Sequence, residues 1–110
     1  MPQIASRGIA VMVSDVKVKG SAVYAIPGGI ESGKVLAIAI NCQGSGVLTV
    51  QVKPAGVSFP LTCEKGEIIP TLNEIQMSKD HPEASLNFTS KSNVTWSFAA
   101  GWDPNPPRRQ

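Results

Sequence analysis

The hydrophobic positions of this chain recur with a period of two. In residues 94–102, Val94, Trp96, Phe98, Ala100 and Trp102 fall on one face of an extended segment, and Thr95, Ser97, Ala99 and Gly101 on the other. Side chains alternate across a β-strand, so the pattern predicts a half-buried strand. The same alternation recurs at Leu36, Ile38 and Ile40, at Leu48, Val50 and Val52, and at Ala84, Leu86 and Phe88. It also runs through Ile9, Val11 and Val13, then changes parity to Val16 and Val18 beyond Ser14-Asp15. That change predicts a β-bulge or a break between two strands, with Lys17 and Lys19 pointing outward as charges on an edge do.

Strands at 35–42 and 47–52 flank Gln43-Gly44-Ser45-Gly46, and their matched apolar faces predict a β-hairpin. Val35, Ala37 and Ala39 make the second face of the first of these apolar as well. Such a strand lies in the middle of a sheet or under another chain. A short strand is expected at 22–26, closed by the turn Pro27-Gly28-Gly29. Pro54-Ala55-Gly56 turns into a strand at 57–62, and Pro70 confines the next piece to an edge or a strand end. Leu72, Ile75 and Met77 fit one helical turn or a bulged strand. About seven to nine short strands joined by turn residues predict an all-β fold, a single antiparallel β-sandwich of Greek-key or jelly-roll type. It is expected to span 1–103, with an extended Pro/Arg-rich tail at 104–110.

Composition narrows the function classes. The chain has 110 residues, 42% hydrophobic and 16% charged, with 10 Gly and 9 Pro, which suits one turn-rich β domain with one core. The net charge is +2, and apart from Arg108-Arg109 the basic residues are dispersed, which argues against a nucleic-acid partner. No apolar run reaches the roughly 18 residues of a membrane span. The first residues lack a basic stretch followed by an apolar one, so either no signal peptide exists or the chain is the mature part of a longer precursor.

Candidate chemistry is sparse. Gly28, Gly33 and Lys34 stand in the register of a phosphate-binding loop, but Val35 replaces the magnesium-binding Ser or Thr and a strand follows where a helix is needed, so the segment reads as a turn. The one histidine, His81, lies between Asp80 and Pro82 with no strained serine to serve, and reads as a solvated loop residue. Glu64, Glu67, Asp80 and Glu83 meet a calcium ion only if the fold gathers them at one end of the sandwich. Cys42 and Cys63 share parity with inward residues and form either a disulfide, worth roughly 3 kcal/mol, or a pair of buried thiols. Asn87-Phe88-Thr89 and Asn93-Val94-Thr95 are glycosylation sequons, and Pro104-Asn105-Pro106-Pro107-Arg108-Arg109 has the PxxPxR spacing of a polyproline ligand, although a solubilising tail is the simpler reading.

These residues predict no catalytic site, no cofactor and no metal. The expected role is a non-catalytic structural or decorating protein that forms homo-oligomers or docks on a larger assembly, such as a virus or phage particle. Its expected contacts are Val35, Ala37, Ala39, Trp102, Asp103, Arg108 and Arg109. The alternative is a secreted β-sandwich module that binds carbohydrate or a cell surface through Trp102 and Tyr24. Both readings favour a virion or extracellular location over the cytoplasm.

Overall fold

The computed structural model describes residues 9–66, 69–91 and 93–104. They form β1 (Ala10–Lys19), β2 (Ala22–Ala25), β3 (Val35–Gln43), β4 (Gly46–Lys53), β5 (Val57–Cys63), β6 (Ile69–Gln76), β7 (Ser85–Thr89) and β8 (Thr95–Asp103). Two four-stranded antiparallel sheets result, ordered β1-β8-β3-β6 and β2-β7-β4-β5. This is the strand order of a jelly roll, and the all-β sandwich reading holds. No helix occurs among the described residues, hence none long and apolar enough to cross a membrane.

Only the β4–β5 connection stays within one sheet; every other one crosses between sheets. The expected hairpin of β3 and β4 is therefore wrong. β3 pairs with β6 on one side and β8 on the other, leaving no edge for β4. Leu36, Ile38 and Ile40 still face the core that Leu48, Val50 and Val52 line from the other sheet, all six at 0% exposure. Matched apolar faces are required equally by paired strands and by strands stacked across a core. The two-sided apolar character of β3 reflects its central position.

An aromatic group fills the middle of the sandwich. Trp96 stacks on Phe88 with ring centroids 4.3 Å apart, and Phe98 packs against both. The Trp96 indole N–H donates to the Gly20 carbonyl at 2.8 Å, so the largest buried side chain keeps its hydrogen bond.

β1 departs from its expected pattern. One register shift lies between Asp15 and Val18, where the parity change predicts it, and there Lys17 adopts φ 53°. A second lies between Val11 and Val13 and makes Met12 an extra residue. Met12, Val13 and Val18 pack on the core, whereas Val11 and Val16 point outward at 41% and 48% exposure. β6 is an edge strand that includes Pro70, and Leu72 and Ile75 lie in it rather than in a helical turn.

Candidate functional site

The outer face of the first sheet carries several of the expected contact residues. Val35, Ala37 and Ala39 lie there, but Ala37 and Ala39 are closed in with Ala99 beneath Ile9 and Leu72. The chain entering β1 crosses so near β8 that a Cβ on Gly101 would meet the Ala10 carbonyl oxygen and come within 2.9 Å of Ile9 Cγ2. Trp102 is half-buried against the core, and Asp103 ends β8 opposite Val35. Arg108 and Arg109 lie outside the described residues.

Tyr24 bridges the two edge strands on one side of the sandwich. Its ring packs 4.8 Å from Phe98, and its hydroxyl donates to Asp15 Oδ2 at 2.8 Å. Burial, then the hydrogen bond to Asp15 and its negative charge, push the phenol up to about 12. This is a structural latch between β1 and β2, with its oxygen already engaged.

Among the described residues the loops hold no gathered chemistry. Gly28 to Lys34 leads into β3, and Ile30 exchanges backbone hydrogen bonds with His81 at 2.7 and 2.9 Å. Gly29, at φ 73°, lies so near the His81 carbonyl that a Cβ would collide with it. Asp80 accepts from the Ser32 amide at 2.7 Å, so both loops are tied to each other. The strand registers place Gln43, Gly46, Cys63 and Thr95 at one end of the sandwich, and Val35, Lys53, Ser85 and Asp103 at the other. Glu64 therefore lies at the end opposite Asp80 and Glu83, on the order of 20 Å away at the rise of a strand. The condition for a calcium site, that these acids meet at one end, is not met by Glu64, Asp80 and Glu83, and Glu67 lies outside the described residues. Among the described residues no group of His, Cys, Asp and Glu converges as a metal site.

Cys42 and Cys63 form a disulfide with Cα atoms 5.5 Å apart. It joins β3 to β5, and so one sheet to the other, as their inward parity allows.

The outer face of the second sheet remains. Its middle row reads Val23, Asn87, Gln51 and Ser58 across β2, β7, β4 and β5, with Thr49 and Thr89 paired in the next row. Lys53, at the end of β4, is the single charged residue in any strand of this sheet. Val23 is 66% and Val47 49% exposed on the same face. Asn87 donates to Ser85 Oγ along its own strand, while Asn93, of the second sequon, is exposed beside Ser45. This face is not legible as a site from residue type alone, because it is neither a charged nor a continuous apolar cluster. The available signal was the absence of Lys, Arg, Asp and Glu from these strands apart from Lys53. Compared with known proteins, the chain matches no family model and no curated sequence.

Proposed function

We propose that the protein is a non-catalytic structural or decorating unit that works by self-association or by docking on a larger assembly such as a virus or phage particle. The observation that carries this reading is the distribution of charge. Charged residues lie on the loops and on β1, β6 and β8, whereas the outer face of the second sheet is neutral except for Lys53. Depletion of charge is the compositional mark of the centre of an interface, because each buried charge must be desolvated. Jelly rolls also build capsid and lectin domains, an analogy of fold alone. A disulfide joining the sheets suits an oxidising location, which includes virion surfaces.

The test is absolute mass by light scattering across a concentration series. A defined oligomer, or a mass that rises with concentration, is expected. A mass fixed at 11.6 kDa removes self-association from the reading and leaves docking on a foreign assembly.

A further inference from the structure

We infer that the outer face of the β2-β7-β4-β5 sheet packs against the same face of a second copy. This rests on the self-association reading and names its surface. The four sheet edges are poor sites for strand addition. β1 carries two register shifts and Lys17 and Lys19, β5 contains Pro60, β6 contains Pro70, and β2 is only four residues long. The first sheet's outer face is already occupied at Ala37, Ala39 and Ala99 by the chain's own Ile9 and Leu72. The second sheet's outer face is open, and it is chemically self-complementary. Asn87 and Gln51 carry amides that both donate and accept, and Thr49, Thr89 and Ser58 carry hydroxyls that do the same. A second copy brings matching partners and no repulsion across the centre, since Lys53 lies at the end of its strand. The exposed Val23 and Val47 supply apolar contact on either side.

The available area sets the strength. Four strands about 4.8 Å apart and some six residues long present roughly 400 Å² per copy. Two such faces bury roughly 800 Å², below the ~1,200 Å² of stable pairs, so the dimer forms at high concentration or when many copies are held together.

The experiment is light scattering from roughly 10 µM to roughly 1 mM on the full chain and two variants with the same added charge. Gln51→Lys puts the charge at the centre of the proposed face; Gln76→Lys puts it on the exposed end of β6 in the other sheet. Far-ultraviolet circular dichroism and the fluorescence of Trp96 and Trp102 verify that both fold. The expected result is a wild-type dimer whose dissociation constant rises about tenfold or more with Gln51→Lys and is unchanged by Gln76→Lys. Association that survives Gln51→Lys overturns the face assignment while leaving self-association intact. A wild type monomeric throughout overturns the pairing itself.

Discussion

Two residues carry consequences far larger than their size. Gly101 exists in a gap that admits no side chain, because the Ala10 carbonyl at the start of β1 and the Ile9 side chain close over it. Gly101→Ala is expected to cost roughly 1–3 kcal/mol in urea unfolding, through overpacking against backbone that has little room to retreat. Tyr24 is the only tyrosine, so near-ultraviolet absorbance titration reads it alone, with an expected midpoint near pH 12. In the unfolded chain the phenol loses its proton near 10, while the folded state retains it to about 12. Its stabilising contribution is therefore complete below pH 10 and is lost as pH rises through about 12. Tyr24→Phe is expected to cost about 1 kcal/mol at neutral pH and to flatten this part of the alkaline decline, measured as unfolding midpoint against pH.

At the level of elements, short strands that cross between sheets place most of their contacts far apart in the chain. The Cys42–Cys63 disulfide, spanning 21 positions, ties β3 to β5 across that divide. Replacing both cysteines by alanine is expected to lower stability by about 3 kcal/mol in denaturant titrations, chiefly by freeing the unfolded chain. Elements were also where the sequence was most legible. The alternation at Leu36 to Ile40, Leu48 to Val52 and Trp96 to Ala100 located three strands and the faces they turn to the core, because large apolar side chains recur at every second position there. This holds even where small alanines close the second face of β3 and β8. The hairpin between β3 and β4 failed on pairing, which alternation leaves open. The extra residue at Met12 was invisible because a bulge needs no special side chain, whereas the shift near Lys17 left a visible change of parity.

For the molecule as a whole, the sandwich protects its edges and leaves one broad neutral face open. Association through that face would also stabilise the folded state by mass action, so the thermal midpoint should rise with protein concentration wherever light scattering detects a larger species. The candidate surface was only partly legible beforehand. Val35, Ala37 and Ala39 stood out as apolar on a second face, but Ile9 and Leu72 cover two of them. Val23, Thr49, Gln51 and Asn87 become neighbours only when β2, β7 and β4 come together.

The sequence alone determined that this is a β protein, which residues face inward along most strands, that Pro70 lies at an edge or a strand end, and that both cysteines point toward the core. These are local consequences of side-chain alternation and backbone chemistry. Tertiary structure decided which strands pair, at which end each loop lies, that the acids of the loops are divided between opposite ends, and which sheet face stays uncovered. Those outcomes depend on contacts between residues distant in the chain, where several pairings satisfy the same alternation and only simultaneous packing of both sheets selects one.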